Sequence, residues 1–356
     1  MSDQDVGKVD RAFFDEYIYP QLGADRGDVR LGPNHGVDFG VIELCSMSSQ
    51  NSESSDDAVD VGDRVLALAT DPVFVLPDLG MERAAWFAVH VLLSDVAVSG
   101  LPPTHLAVDL NLPRDATDEA FAALWEVFHR EAEALGVSIV TGHTGRYANC
   151  AWPTVGGGTA LAVGDPADLV RPDGARPGDR VLVTKGPAVE ATGVLAARFE
   201  GLLRAELPDA TVDAALDRFW DASPVRDALV AAAAGPVTAM HDATEGGLLG
   251  ALRETAAAAG VEIAIERDRV PVLPGVREVC GHADLDPWTA SSEGTLAVTV
   301  DPEGVDEVLD ALADDAVPAA DVGEVREGEG LVVDGDPHEP GADSLWATYE
   351  RLAARE

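Results

Sequence analysis

The chain has 356 residues, 64 of them acidic and 24 basic, for a formal net charge of −40. That length exceeds one ordinary core and predicts two domains, while the charge leaves no basic stripe to neutralise phosphates and disfavours a nucleic-acid binder. The acids run over the whole chain, as suits molar salt, where the Debye length shrinks to about 3 Å; an acidic surface for a basic partner is the alternative.

No window approaches the ~18 apolar residues of a membrane span, so no membrane association is expected. The N-terminus, MSDQDVGKVD, is too polar for a signal peptide. Cys45, Cys150 and Cys280 lack metal-ligand spacing and suit a reducing cytoplasm. Residues 1–30 form an N-terminal arm with an amphipathic segment over Arg11 to Leu22. A glycine-rich turn, Leu31 to Gly40, then runs into a strand. Gly36 lies in it, and Asp38 at its junction is either a surface turn residue or a phosphate or Mg²⁺ contact.

Residues 46–60 are polar and low in complexity and read as a loop. Arg64 to Ala69 reads as a strand ending in Thr70-Asp71-Pro72, where Asp71 is a metal ligand or a turn residue. Met81 to Ser99 reads as a helix stopped by Gly100. Asp95 interrupts its apolar run and there needs a partner or a cation. A strand over His105 to Leu112 and a helix over Asp115 to Leu135 follow.

Ser138 to Gly164 reads as strand, turn, strand. A β-branched run breaks at Thr141-Gly142-His143-Thr144-Gly145, and a second run passes through Gly156-Gly157-Gly158. Such glycines fit either a tight turn with a barrel-type bend or a backbone open to phosphate oxygens.

Residues 165–179, rich in Pro, Gly and Asp, read as a linker. A second αβ unit begins with a strand over Arg180 to Thr184. Lys185 sits at the next turn, as a phosphate contact or a solvated charge, and a helix spans Val189 to Leu203. A strand over Val237 to His241 leads into Asp242-Ala243-Thr244-Glu245-Gly246-Gly247. Asp242 or Thr244 can cap the helix that follows, and Gly246 and Gly247 open its positive end to a ligand. His241-Asp242 also matches a metal phosphohydrolase pair, but the further ligands are missing. Ser292-Glu293-Gly294 opens a strand over Thr295 to Val300. Val305 to Ala313 reads as a helix, Asp321 to Val333 as a hairpin and Asp343 to Ala354 as a last helix.

Six of these stretches, in this order, resemble the AIR synthase (PurM-like) superfamily. They are Gly36-Val37-Asp38, Thr70-Asp71-Pro72, Ser94-Asp95, Gly142-His143-Thr144, His241 to Gly247, and Ser292-Glu293-Gly294. The Gly-His-Thr form and the segment Lys185 to Thr192 look most like archaeal HypE-like relatives. The resemblance implies a two-domain α+β fold. An N-terminal ATP-binding domain over 31–164 would build a β-barrel in a homodimer, and a C-terminal αβ domain would span 180–356.

It also implies ATP and Mg²⁺ as cofactors and a small-molecule substrate activated or phosphorylated at ATP's expense. Asp38, Asp71 and Asp95 take the metal positions. Gly142, His143, Thr144 and Gly145 line the phosphates, with Asp242, Thr244, Gly246 and Gly247 facing them; His143 and Glu293 are the candidates for general base.

Four departures stand out. His143 replaces a turn carboxylate of the kinase branch, and the chain ends LAARE without a terminal cysteine. No early cysteine precedes the glycine turn, and Ser94 replaces an asparagine. The missing turn carboxylate and the missing terminal cysteine leave a second reading open, a nucleotide-binding regulator or assembly partner that has lost catalysis.

Overall fold

The computed structural model describes residues 11–13, 15, 29–32, 37–44, 64–338, 341, 343 and 345–355. Gly36 and the loop at 46–60 lie outside them. So does most of the amphipathic segment, of which the short helix α1 (Arg11–Phe13) is described.

The first sheet holds β1 (Val29–Leu31), β2 (Gly40–Leu44), β3 (Arg64–Phe74), β4 (His105–Pro113), β5 (Ser138–Tyr147) and β6 (Thr154–Gly164), in the order β1-β2-β3-β6-β4-β5. The helices α2 (Met81–Ala97) and α3 (Asp118–Ala134) pack on it. Thr117 caps α3, its hydroxyl accepting the Ala120 N–H at 3.1 Å. Leu92 of α2 and the nearby Leu101 occupy the space that side chains at Gly158 and Gly164 would need. Glycine on β6 therefore lets these leucines reach the sheet.

Two sequence expectations fail here. β3 does not end before Asp71 but runs to Phe74, with Asp71 opposite Gly158 of β6. Pro72 is tolerated because the pairing of β2 with β3 stops at Leu68, leaving no described partner for the missing N–H. The stretch 138–164 is no hairpin either. β5 runs unbroken through Thr141 to Gly145, and β4 lies between β5 and β6. A side chain at Gly142 would collide with the Val108 carbonyl, so this glycine serves strand approach and not a turn.

The second sheet holds β7 (Arg180–Thr184), β8 (Val237–Asp242), β9 (Glu262–Ile265), β10 (Leu296–Val300), β11 (Ala319–Arg326), β12 (Gly330–Val333) and β13 (Asp336–Pro337), in the order β13-β12-β9-β11-β7-β10-β8. Around it lie α4 (Val189–Arg198), α5 (Glu200–Glu206), α6 (Asp209–Asp217), α7 (Val225–Ala234), α8 (Gly247–Ala259), α9 (Val276–Ala283), α10 (Val305–Asp314) and α11 (Leu345–Ala353). The expected hairpin over 321–333 is absent, because β9 inserts between β11 and β12. The expected single helix to Leu203 breaks at Phe199 into α4 and α5.

This is a two-domain α+β fold. Residues 165–179 contain no helix or strand, and they bury Val170 and Ala175. One apolar core continues from α2 into the second unit, where Trp86 meets Phe219 at 5.9 Å between ring centroids. α2 also touches β8, and Ser94 in its last turn lies beside Glu293, just before β10. Among the described residues no helix is long and apolar enough to cross a membrane.

Candidate functional site

The site forms where the two sheets meet. From the first come Asp38, just before β2, Asp71 within β3, and Ser94 near the end of α2, with Asp95 half-buried next to it in sequence. From the second come Asp242 at the end of β8, Glu293 in the turn before β10, and Glu190 in the first turn of α4. Antiparallel pairing sets Leu296 opposite Asp242, which brings the 291–295 turn beside the β8 end. Ala243 and that turn exchange backbone bonds, Ala243 N–H to Thr295 O at 2.9 Å and Ser292 N–H to Ala243 O at 3.2 Å.

Glu293 is 2% exposed, and its Oε1 has no hydrogen-bond partner among the described residues. Burial pushes its carboxyl well above the usual carboxylate range. Asp242, Glu190 and Asp71 push it further, and the Ser94 hydroxyl opposes them. Asp242 is buried as well, and neither of its carboxylate oxygens accepts a hydrogen bond among the described residues. The charged group nearest to Asp242 is His241, whose Nδ1 lies 3.7 Å from Asp242 Oδ1, and a buried carboxylate with no hydrogen bond suits a hard cation beside it.

His241 is the cation of this cluster. Its Nδ1 lies 2.7 Å from the Asp242 carbonyl oxygen and 3.4 Å from Asp38 Oδ2, and its Nε2 lies 3.1 Å from Glu254 Oε2. A carbonyl only accepts, so Nδ1 carries a proton, and Glu254 lies at ion-pair distance from Nε2. Burial alone would lower the His241 pKa. Asp38, then Asp242 and Glu254, outweigh it and hold the ring well above its ordinary value. Asp38, His241 and Asp242 offer ligand atoms within 4.8 Å of one another.

Asp343 completes the cluster. It accepts the Leu345 N–H at 2.8 Å and lies near the backbone N–H groups of Gly246 and Ser291. A carboxylate of the chain thus sits at the N-terminus of α8, the end where sequence reasoning expected a ligand. Neither Asp242 nor Thr244 caps that helix. Gly246 is its N-cap at φ 82° with no side-chain bond, and Gly247 follows at φ 60°. A side chain at Gly247 would press on the Ala290 carbonyl.

Two groups of expected site residues lie elsewhere. Lys185 is buried and carries no free donor for a phosphate. Its Nζ pairs with Asp227 Oδ2 at 2.9 Å and donates to the carbonyls of Asp221 and Ser223, each at 2.9 Å. Gly142, His143, Thr144 and Gly145 lie on β5 at the open edge of the first sheet. The row from Asp71 crosses Gly158 and Val108 to reach Gly142. Three strand spacings of ~4.8 Å put Gly142 about 14 Å from Asp71. His143 is exposed, its Nε2 2.7 Å from the Tyr147 hydroxyl. Within one chain this strip does not line the carboxylate site.

Sequence reasoning missed Glu190, Glu254 and Asp343, and it did not see His241 as a counter-ion. Glu190 interrupts the small, apolar run Pro187 to Ala197, which is the signal that drew attention to Asp95.

Comparison with known proteins follows this geometry. The profile of the AIR synthase related protein, N-terminal domain, matches residues 54–163, and that of the C-terminal domain matches residues 176–336. Carbamoyl dehydratase HypE of Rhizobium leguminosarum bv. viciae is 30% identical over 63% of this chain, which spans 62% of that protein's length. HypE of Rhodobacter capsulatus is 33% identical, over 66% of this chain and 67% of its own length. Thiamine-monophosphate kinase of Halobacterium salinarum is 29% identical over 81% of this chain and 95% of its own.

Among solved structures, HypE in complex with ATP superposes with a TM-score of 0.65 at 22% identity, covering 83% of this chain and 89% of that one. AaThiL complexed with AMPPCP and TMP superposes with a TM-score of 0.66 at 23% identity, covering 86% and 90%.

Proposed function

The chain belongs to the AIR synthase related family, and on that premise we propose that it is an ATP- and Mg²⁺-dependent enzyme that phosphorylates or activates a small molecule. The observation that carries this reading is the meeting of Asp71 and Asp242 around the buried Glu293, whose Oε1 stays free of hydrogen bonds among the described residues. Relatives crystallised with ATP and with AMPPCP support the choice of nucleotide.

The donor set fits Mg²⁺, which takes hard oxygen ligands: Asp38, Asp71 and Asp95 would hold it, with Asp242 facing them. When bound, the ion neutralises charge on the phosphate oxygens in transfer. The chain supplies the rest. His241 balances part of the negative charge and ties Asp38 to the second unit. Glu293, held protonated by its surroundings until charge beside it is balanced, serves as the group that exchanges a proton with the acceptor. The β5 edge fits a homodimer contact, which would bring Gly142 to Gly145 of one protomer toward a neighbouring site.

The second reading, a nucleotide-binding regulator or assembly partner without turnover, is favoured by one feature, the imidazole of His143 where the kinase branch has a carboxylate. Mg-ATP binding and hydrolysis, measured in ~2–3 M KCl where a charge of −40 is screened, separate the two. Acceptor-stimulated ADP release supports the enzyme. Binding without turnover supports the regulator, and no binding by folded protein overturns both.

A further inference from the structure

Among the residues of Lys185 to Thr192, Lys185 is committed to Asp227, and a different residue of that segment reaches the site. Glu190 lies in the first turn of α4, 5% exposed, between buried Val189 and Ala191. Its Oε2 accepts two hydrogen bonds, from the Ser291 hydroxyl at 2.5 Å and from the Glu293 backbone N–H at 3.1 Å. Two more bonds join the same segments. The Val189 N–H donates to Ser292 Oγ at 3.0 Å, and the Ala191 N–H to Ser291 O at 3.2 Å. Every residue from 291 to 293 is therefore bonded to the start of α4.

Gly294 then turns the chain at φ 98°, and the Thr295 hydroxyl returns to the Gly186 carbonyl at 2.6 Å. The Glu293 N–H is held by Glu190 and the two residues before it are bonded as well, while its side chain keeps one oxygen unbonded among the described residues. A neutral acceptor could take the same two bonds without burying a carboxyl group. Two buried carboxyl groups side by side are the kind of cluster found at functional sites. Burial pushes Glu190 up to about 7, against the two bonds it accepts.

We propose that Glu190 is a positioning residue: its carboxyl group locks the 291–293 turn so that the Glu293 side chain faces Asp71 and Asp242. The inference rests on the reading that Glu293 works in the site. It assigns Glu190 no contact with nucleotide, and it makes Ser291 its partner.

The test uses the full chain and the variants Glu190→Ala, Glu190→Gln and Ser291→Ala. Glu190→Ala removes the acceptor and should lower kcat for Mg-ATP turnover by at least about tenfold, with KM for Mg-ATP within about twofold of wild type. Glu190→Gln keeps an acceptor oxygen and should restore kcat to within about threefold of wild type. A wild-type kcat in Glu190→Ala overturns the proposal. So does a parallel loss of kcat, nucleotide affinity and thermal stability without rescue by Gln, which marks a merely structural residue.

Amide hydrogen exchange over residues 291–295 gives a readout independent of activity. Glu190→Ala should exchange faster there, and Glu190→Gln should not. If wild-type protein neither binds nor turns over Mg-ATP, the proposed function fails, and exchange alone then decides whether Glu190 holds the turn. If Glu190→Ala does not fold, Ser291→Ala carries the test. It should lower kcat by about threefold, and an unchanged kcat together with unchanged exchange overturns the proposal.

Discussion

Two glycine-rich stretches, 141–145 on β5 and 242–247 between β8 and α8, look alike in sequence and differ in the folded chain. Each pairs glycines with polar side chains next to a β-rich run. On β5 Gly142 lets β4 come close and Gly145 leaves room for the Tyr147 ring, and the side chains of His143 and Thr144 stand exposed at a sheet edge. At 242–247 they let α8 start at positive φ beside a nest of buried carboxylates. Glycine reports that something approaches the backbone, and the charges buried around it tell what that is.

The largest effect belongs to a residue that looked like part of a phosphate site and is not. Lys185→Met leaves Asp227 buried and unpaired, which should cost about 3–5 kcal/mol of stability. Urea unfolding at high salt measures it. Folded protein should bind Mg-ATP with unchanged affinity, and a specific loss of affinity would return Lys185 to the nucleotide site. Glu293→Gln should do the reverse. Stability should hold or rise, because an acid with a raised pKa is replaced by a neutral amide, and turnover should fall by about 10²–10³.

Glu190 adds a pH signature. Its carboxyl is raised from 4.5 to about 7 in the folded chain. Folding then binds a proton between those values. The stability this group contributes is complete below pH 4.5 and lost as pH rises through 7, about 3 kcal/mol in all. Glu190→Gln should remove that slope, read as a flatter plot of Tm against pH between 5 and 8. Asp71→Asn should weaken Mg-ATP binding by about tenfold or more, measured by calorimetry. Unchanged affinity would take Asp71 out of the metal site.

What was legible in the sequence follows the same line. The long amphipathic helices were, because Phe121, Leu124, Phe128 and Ala132 mark one face of α3 and Gly136 its end. Asp95 stood out as a carboxylate in an apolar run, where a charge needs a reason, Asp71 as one at the end of an apolar strand, and Asp242 and Glu293 only through the family resemblance. Strand pairing was not legible. Nothing local to 138–164 or 321–333 says that β4 or β9 will insert between neighbours in sequence, since register is set by non-local contacts. The role of His241 was hidden too, because it depends on Asp38 and Glu254, 203 residues before it and 13 after it.

The smallest expected effect is the one best able to break the contrast. His143 is exposed on β5, bonded to Tyr147, and separated from Asp71 by two intervening strands. If the site is complete within one chain, His143→Ala should change turnover by no more than about threefold, the scale of a lost surface hydrogen bond. Stability should barely move, because the ring packs against nothing but Tyr147 among the described ring contacts. Turnover and sedimentation should be measured together across a range of protein concentrations. A loss as large as that of Asp71→Asn, present only where the protein is dimeric, would mean that the edge strand of one protomer completes the site of another. The two glycine stretches would then be two halves of one cradle, each legible in sequence and united only by assembly.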